Sequence, residues 1–322
     1  MPPLLRLILL RVGLGCVTLF LVSLVVFAAT QALPGDPARA ILGKGAANKA
    51  VYEGLREELG LNRPLQEQYL SWLQGVMTGD LGDSIVNRGT SVVTLLKPWV
   101  INSLYLLVIT SLVSIPLSIL IGAMQAYWRD RPFDHVTNVT NLVLSALPEF
   151  VIGLVLVLLL ATSVFHVLPA VSQVIIGTPI YAQAEILVLP VITLCLATMP
   201  YTCRMLRAST IGVLDSEFVM MADLKGLPNR LVLWRHALPN ALGPTFQVIA
   251  LNLAWLTGGI VVVEYVFNYP GIGTALVKSV ANRDMPVVQA LCMLIAAVYV
   301  VTNLAADIAT ILVNPRLRTG MR

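Results

Sequence analysis

The sequence predicts an all-α integral membrane protein of six transmembrane helices, with a small external domain between the first two helices. Hydrophobic residues make up 57% of its 322 residues and charged residues only 12%, and the mean hydropathy is +0.83. These values far exceed those of ordinary globular domains. Apolar spans of membrane-crossing length recur along the chain, and the Lys and Arg residues beside them alternate between abundant and sparse.

Six spans with few or no charged residues lie at residues 12–32, 100–127, 139–167, 186–206, 242–263 and 286–313. Each has about the 20 residues that a helix needs to cross the hydrocarbon core. Because unpaired backbone groups are costly in lipid and the spans have helix length, we expect helices rather than a barrel. The first span is longer than the apolar part of a signal peptide and lacks a clear cleavage site, so we expect it to remain as an anchor.

The positions of Lys and Arg predict the orientation of these spans. Basic residues flank the chain on one side of the spans, at Arg6, Arg11, Arg129, Arg131, Arg204 to Arg235, Arg316, Arg318 and Arg322. The segment between spans three and four has no Lys or Arg, and that between spans five and six has only Lys278 and Arg283. Because cytoplasmic loops carry the excess of basic residues, we expect both termini in the cytoplasm.

The segment between the first two spans predicts a small folded cap. Apolar residues recur there at helical spacing, at Val51, Leu55, Leu59 and Leu61 and then at Leu65, Tyr69, Trp72, Leu73 and Val76. They predict two short helices separated by Asn62-Arg63-Pro64. The chain then divides into a tail with the first span at 1–32, a periplasmic segment at 33–99, a core of spans two to six at 100–313 with a cytoplasmic polar region at 207–241, and a cytoplasmic tail at 314–322.

A polar segment from Ser216 to Pro239 interrupts the apolar spans. Asp215 or Ser216 is suited to cap a helix, and Glu217 lies where the helix dipole favours a negative charge. Gly226 is typical of the left-handed residue that ends a helix. Pro228 is suited to open a second short helix, which we expect Pro239 to break.

This segment resembles the cytoplasmic signature of the permease subunits of bacterial ABC importers. The signature is Glu-Ala-Ala, three residues, Gly, nine residues and Ile-x-Leu-Pro. Its positions are filled here by Met220, Met221, Ala222, Gly226, His236, Leu238 and Pro239. Lys225-Gly226-Leu227 and Arg235-His236-Ala237-Leu238 resemble the dipeptide and oligopeptide branch, which includes opine and nickel permeases, and its dipeptide permease B-type subunit in particular.

The resemblance implies a type I ABC importer fold and a coupling helix that docks on a separate ATPase. The implied docking residues are Glu217, Met221, Ala222, Lys225, Gly226 and Leu227. The implied partners are a second homologous permease in a heterodimer, two ATPase subunits that bind ATP and Mg, an extracytoplasmic substrate-binding protein and membrane lipid. Location in the bacterial inner membrane follows from the same resemblance.

External motifs extend the resemblance to most of the chain. They are Leu33-Pro34-Gly35-Asp36-Pro37, Gly79-Asp80-Leu81-Gly82-Asp83-Ser84, the stretch from Glu264 to Gly273, and Arg283-Asp284-Met285-Pro286. The first two motifs either set turns or contact a binding protein. Glu264, Pro270, Gly271 and Gly273 mark either a candidate external gate or a plain tight connection. At the carboxy end, Asn314 stands where the family usually has Asp.

Two acidic residues inside the spans, Glu149 and Asp307, are candidates for functional charges because ionisable groups are costly at membrane depth. The alternatives are structural pairing, with Arg204 and Arg207 as partners, and a direct transport role. The cysteines Cys16, Cys195, Cys203 and Cys292 form no CxxC pair, and no His cluster has ligand spacing, so we expect no metal site. The net charge of +4 is explained by residues flanking the spans and calls for no nucleic acid.

Since no glycine-rich loop ending in Gly-Lys-Ser/Thr occurs, we expect ATP hydrolysis to belong to partner subunits, with no cofactor on this chain. No hydrolase motif is visible either, so a transporter permease subunit rather than an enzyme is predicted. Peptide import is the leading hypothesis. The alternatives are import of nickel chelates, glutathione or opines, an ion-coupled secondary transporter, and a non-transport scaffold. The sequence does not identify the substrate-binding residues.

Overall fold

The computed structural model describes residues 3–32, 37–42, 48–58, 60–172 and 183–313, and within them almost all regular structure is helical. The helices are α1 (Pro3–Ala32), α2 (Pro37–Leu42), α3 (Lys49–Glu58), α4 (Leu65–Thr78), α5 (Val92–Tyr127), α6 (Pro132–Ala146), α7 (Glu149–Leu156), α8 (Ala184–Leu214), α9 (Glu217–Leu224), α10 (Asn229–Leu231), α11 (Leu238–Val266), α12 (Ile272–Ala281) and α13 (Met285–Val313). π-Helical turns at Val157–Thr162 and Val232–Ala237 extend α7 and join α10 to α11. An antiparallel bridge joins Asp83 to Ser91.

Six membrane crossings account for the long helices. In the described residues, five helical stretches are apolar and long enough to cross a membrane on their own, namely α1, α5, α8, α11 with its preceding turns, and α13. The helices α6 and α7 pass the same test only as a pair, and they are bent by 110°. The break follows Leu147, because Pro148 disfavours helical backbone at the residue before it.

The directions of α5 and α8 show that this bent pair is a full crossing. The Cys195 thiol donates to Thr110 O at 3.9 Å, and the Cys203 thiol donates to Ser118 O at 3.6 Å. Because both residue numbers rise together, α5 and α8 run parallel. Two parallel spans need an odd number of crossings between them, and α6 with α7 supplies the one required.

The contacts of α6 and α7 along α8 give the same answer. Asp134 at the start of α6 pairs with Arg207, and Ser172 beyond α7 donates from its hydroxyl to Ile186 O at 2.6 Å. Between Ile186 and Arg207, α8 rises about 31 Å, which is the thickness of a hydrocarbon core. The predicted fold of six transmembrane helices is therefore confirmed.

Three features of the helices differ from the sequence prediction. The second span begins at Val92, eight residues before the predicted residue 100, because the amphipathic turns ahead of the apolar run are also helical. The helix α12, at Ile272–Ala281, was not predicted as a separate element. The predicted break at Pro239 is absent, because the π-helical turn Val232–Ala237 leads directly into α11 and the helix continues through the proline. The wider turn, in which Leu238 N bonds to Leu233 O, ends the α-helical hydrogen-bond pattern ahead of Pro239.

The two short helices predicted after the first span are present as α3 and α4, on either side of the Asn62-Arg63-Pro64 turn. The motif at 33–36 and the tail with Asn314, Pro315, Arg316 and Arg318 lie outside the described residues. Leu59 does too.

The helices group into two compact units. Unit A comprises the described parts of residues 1–12, 104–269 and 301–322, and unit B those of residues 13–103 and 270–300. The core of unit A joins α5, α8 and α11 around buried apolar side chains, including Leu106, Leu194, Ile260 and Phe267. Burial of this many large side chains is what positions the three helices.

A glycine allows a close approach of two helices in unit A. A Cβ at Gly122 of α5 would lie 2.9 Å from Cys203 O and 3.0 Å from Leu206 Cβ. Any side chain would collide with α8, so the absence of one lets the two backbones touch.

In unit B, α4 of the cap packs on part of α1. The rings of Phe27, Tyr69 and Trp72 lie with centroids 5.3 to 6.1 Å apart, and the Tyr69 hydroxyl is 2.8 Å from that of Ser23. Another buried cluster of this unit, which includes Val92, Ile272 and Leu291, joins α5, α12 and α13.

Candidate functional site

The polar segment forms a short helix, α9, between α8 and α11. Its first residue is Glu217, where a carboxylate is favoured by the helix dipole. Ser216 occupies the N-cap position with extended backbone, as predicted, but its side chain does not cap α9. The hydroxyl donates instead to Val213 O in the last turn of α8. Only Asp215 and Ser216 separate the two helices, so α9 is tied closely to α8.

One face of α9 packs on the chain itself. Val219 and Ala222 are buried with Val232, and Leu227 packs against this cluster. Ala222, which the resemblance assigns to docking, is therefore inside unit A. Its small side chain allows α9 to approach the π-helical turn that follows.

The opposite face of α9 is apolar and exposed. It carries Phe218, Met220, Met221 and Leu224, of which Met221 is 62% and Leu224 76% exposed. Glu217 and Lys225 border this face and are exposed as well. We call the residues Glu217, Phe218, Met220, Met221, Leu224 and Lys225 the outer face of α9. Since α9 is only about 12 Å long, it cannot cross a membrane, and an exposed apolar patch of this kind marks an interaction site.

Gly226 ends α9 in the left-handed region, with φ +74°. Its N–H donates to Asp223 O at 2.9 Å, and the N–H of Leu227 donates to Ala222 O at 3.3 Å. No atom outside its neighbours lies within 4 Å of a Cβ built there. The requirement for glycine is therefore conformational and not steric, which agrees with the sequence prediction.

The chain then re-enters a long helix without interruption. Pro228 precedes α10 as predicted, and the six residues Val232–Ala237 form a π-helical turn before α11. π-Helical turns are frequent at functional sites. This one carries Trp234, which is exposed, and Val232 and Leu233, which are buried.

Two ion pairs join α6 and the connection before it to α8 and Asp215, close to the start of α9. Arg207 Nε and Nη2 donate to the two carboxylate oxygens of buried Asp134 at 2.6 and 2.5 Å, and the N–H of Asp130 adds a bond of 3.1 Å. This two-pronged geometry is the strongest form of such a pair. Arg129 contacts Asp215 at 3.2 Å in a more exposed pair.

The candidate intramembrane charges have other surroundings than predicted. Asp307 forms an ion pair with Arg11 at 3.0 Å, as the structural alternative predicts, but its partner is neither Arg204 nor Arg207. Arg207 pairs with Asp134 instead. Sequence reasoning missed Asp134 because it lies outside the apolar run. Glu149, at the start of α7, has no ion pair within the described residues.

The candidate gate residues are mostly buried. In unit A, Glu264 is completely buried in the last turn of α11, and its carbonyl accepts from Tyr269 N at 2.8 Å. Burial raises the pKa of the Tyr269 hydroxyl, and the nearby Glu264 raises it further, so the hydroxyl stays protonated.

In unit B, Pro270 O accepts from Asn102 Nδ2 at 2.7 Å. Gly271 has extended backbone, with φ −110°, and precedes α12, so it is not in the left-handed region. Gly273 is buried in the first turn of α12. The segment is thus an ordered connection into a helix.

A buried carboxylate unites two of the external motifs. Asp284 accepts from the Ser84 hydroxyl, from Ile85 N at 3.1 Å and from Val86 N at 3.5 Å. Asp284 is 3% exposed. The sequence carried both motifs but gave no signal that they meet, because 200 residues separate them.

Comparisons with known proteins agree with this layout. The family model described as binding-protein-dependent transport system inner membrane component matches residues 114–319, and the model of its N-terminal region matches residues 4–90. The chain is 34% identical to the "Probable peptide ABC transporter permease protein y4tP" of Sinorhizobium fredii, over 92% of this chain and 94% of that protein.

Two further relatives have similar coverage. The oligopeptide transport system permease protein AppB of Bacillus subtilis is 32% identical over 92% of this chain and 94% of its own. The glutathione transport system permease protein GsiC of Escherichia coli K12 is 33% identical over 94% of this chain and 95% of its own.

Proposed function

The chain belongs to the family of binding-protein-dependent transport system inner membrane components, and on that premise we propose that it is the permease subunit of an ATP-driven ABC importer of peptides. The predicted family resemblance is thereby confirmed. We assign the chain to the bacterial inner membrane with both termini cytoplasmic, since the basic residues beside the spans favour that side. In this orientation α9 lies in the cytoplasm, and residues 33–99 lie in the periplasm.

The substrate class rests on the relatives. Their names specify peptides, oligopeptides and glutathione, and glutathione is itself a tripeptide. Peptide import is therefore our first proposal, and glutathione import is the second candidate because one of the relatives carries that name.

The observation that carries the transport proposal is the outer face of α9. An apolar face with acidic and basic borders, outside the membrane-spanning stretches, fits docking on another protein better than exposure to water. We propose that Met221 and Leu224 dock on an ATPase subunit, with Glu217 and Lys225 at the rim. Ala222 and Leu227 then contribute by packing α9 on its own chain, and Gly226 by setting the turn.

The connections of α9 explain how docking moves the membrane helices. Two residues join it to α8, and its inner face packs on Val232 in the turn that leads into α11. When ATP binding closes the two ATPases, which hold the ATP and Mg, α9 carries α8 and α11 with it. The helices α8 and α11 pack tightly in unit A, so the movement reaches the membrane core.

We further propose that a second homologous permease completes the pathway as a heterodimer and that a periplasmic binding protein delivers the peptide. Pro270, Gly271 and Gly273, with Glu264 before them, are assigned to the external gate region. Support comes from the short connection of five residues that links α11 to α12.

A matched pair of methionine substitutions tests the docking proposal. Met221→Glu places a charge on the outer face of α9, whereas Met77→Glu places the same charge at an 81% exposed methionine of α4. We expect Met221→Glu to weaken co-purification of the ATPases about 30-fold, as for a contact worth about 2 kcal/mol. Met77→Glu should retain them.

Uptake of labelled dipeptides and of glutathione by cells that express the complete transporter then identifies the substrate. Normal ATPase recovery by inserted Met221→Glu protein would refute docking through α9. Intact assembly without uptake of either peptide would leave the docking proposal standing and refute the substrate proposal.

A further inference from the structure

A groove in unit A lies behind α9, on the side away from its outer face. Its walls are the α5–α6 connection, the buried side of α9 and the start of α10. The polar and aromatic lining consists of Tyr127, Trp128, Arg131, Asp223, Asn229 and Arg230. Nothing in the transport proposal uses these residues.

The charges in this groove have no partner among the residues that the structure describes. Within the described part of the chain, the side chains of Arg131, Arg230 and Asp223 make no ion pair and no hydrogen bond. By contrast, the neighbouring Arg129 is paired with Asp215. Two unpaired guanidinium groups in one groove attract an anion, and guanidinium groups bind phosphate oxygens in two-pronged fashion.

The groove lies at the end of an apolar span. Tyr127 is the last residue of α5, and Trp128 follows it. Aromatic residues with a polar edge are enriched where a span meets the lipid headgroups. The groove is therefore at the depth of a phosphate and not in the hydrocarbon.

An apolar stripe continues from the groove along α6. The Trp128 ring contacts that of Phe133 with centroids 5.2 Å apart. About one and two turns further along α6, Val136 is 66% and Val139 60% exposed. A free phosphate has no apolar part that could contact this stripe, whereas the acyl chains of a lipid would cover it.

We propose that this groove binds the headgroup of an anionic phospholipid of the phosphatidylglycerol class, with its acyl chains along Phe133, Val136 and Val139. Arg131 and Arg230 hold the phosphate. Asp223 and Asn229 accept from the glycerol hydroxyls. Because Asp223 belongs to α9 and Arg131 to the α5–α6 connection, the lipid joins the short helix to the membrane core. The proposal depends on the chain being in a membrane and not on which substrate it carries.

The first test measures the lipid retained by the full chain with its co-purifying partners. Protein reconstituted in nanodiscs of phosphatidylethanolamine and phosphatidylglycerol is re-extracted gently, and bound lipid is counted by native mass spectrometry. Removing both charges in Arg131→Gln/Arg230→Gln should weaken retention of phosphatidylglycerol about 30-fold, since each cation near the surface is worth about fivefold. Arg235→Gln, at an exposed arginine outside the groove, is the matched control.

Two results of this test would overturn the proposal. One is equal retention of phosphatidylglycerol by the double variant and the control, both monodisperse. The other is equal retention of phosphatidylethanolamine and phosphatidylglycerol by the unchanged protein, because the groove would then not select an anionic headgroup.

The second test separates a lipid from a free phosphate. Val136→Asn should lower lipid retention and leave the binding of glycerol 1-phosphate unchanged. If glycerol 1-phosphate displaces the lipid at equal concentration, the acyl chains contribute nothing and the lipid proposal fails.

A third measurement needs no variant. Hydrogen exchange at residues 128–131 should be slower in nanodiscs that contain phosphatidylglycerol than in those with phosphatidylethanolamine alone, since the bound headgroup contacts this turn. Equal exchange rates would contradict the proposal even if every variant failed to fold.

Discussion

Gly226 shows how one residue fixes the end of the α9 helix. Its φ of +74° costs a residue with a side chain about 1 to 2 kcal/mol, whereas glycine adopts it freely. The sequence predicted this turn, because a glycine follows the apolar run of α9 and a proline stands two residues later. Position 226 therefore requires the left-handed backbone conformation and does not depend on a close contact with other residues.

At this position we predict that Gly226→Ala destabilises the turn by about 1 kcal/mol and lowers ATP-driven uptake without affecting insertion. Gly212→Ala in α8 is the matched control, because no atom lies within 4 Å of its added Cβ and its backbone is helical. Uptake and the yield of membrane-inserted protein are the measurements. Unchanged uptake by Gly226→Ala would show that the turn does not matter for coupling.

The partners of the charged residues in ion pairs were not predicted correctly from the sequence. The positions of these residues along the chain do not indicate that Asp134 pairs with Arg207 or that Asp307 pairs with Arg11. Each pair joins helices that are far apart in the chain. The identity of a partner depends on which helices pack together and at what height.

At the scale of the element, the contact between α5 and α8 depends on a missing side chain. The Cβ of any residue at position 122 would meet the backbone oxygen of Cys203, which cannot move without shifting α8. The same helices are held in register by the thiols of Cys195 and Cys203.

We therefore predict that Gly122→Ala destabilises the protein by about 1 to 3 kcal/mol through overpacking. Gly258→Ala in α11 should be neutral or slightly stabilising, because its added methyl group meets no atom within 4 Å and alanine favours helix. Thermal unfolding of the purified protein in detergent measures both. A similar midpoint for the two variants would mean that α5 and α8 separate easily.

At the scale of the whole molecule, six crossings place both ends of the chain on one side of the membrane. This number depends on counting α6 and α7 as one crossing, which the parallel directions of α5 and α8 require. We propose the cytoplasmic side for both ends, on the distribution of Lys and Arg.

Cysteine labelling tests this topology. In a background with Cys16→Ser and Cys292→Ala, where Cys195 and Cys203 remain buried, we expect Met77→Cys to react with a membrane-impermeant maleimide in spheroplasts. Arg235→Cys should react only after the membrane is opened. Labelling of Arg235→Cys in intact spheroplasts would reverse the proposed orientation.

The sequence alone determined the membrane class, the number of spans, the short helices of the cap, the position of α9 and the glycine that ends it. These features depend on local composition, helix periodicity and turn chemistry, which act between near neighbours. Only the tertiary structure decided the 110° angle between the two halves of the third crossing. It alone also decided that Ala222 faces inward, that Asp284 contacts Ser84, and that Arg131 and Arg230 share a groove. Those facts depend on packing between distant segments, where a contact is set by the height and rotation of each helix and by no feature of the adjacent sequence.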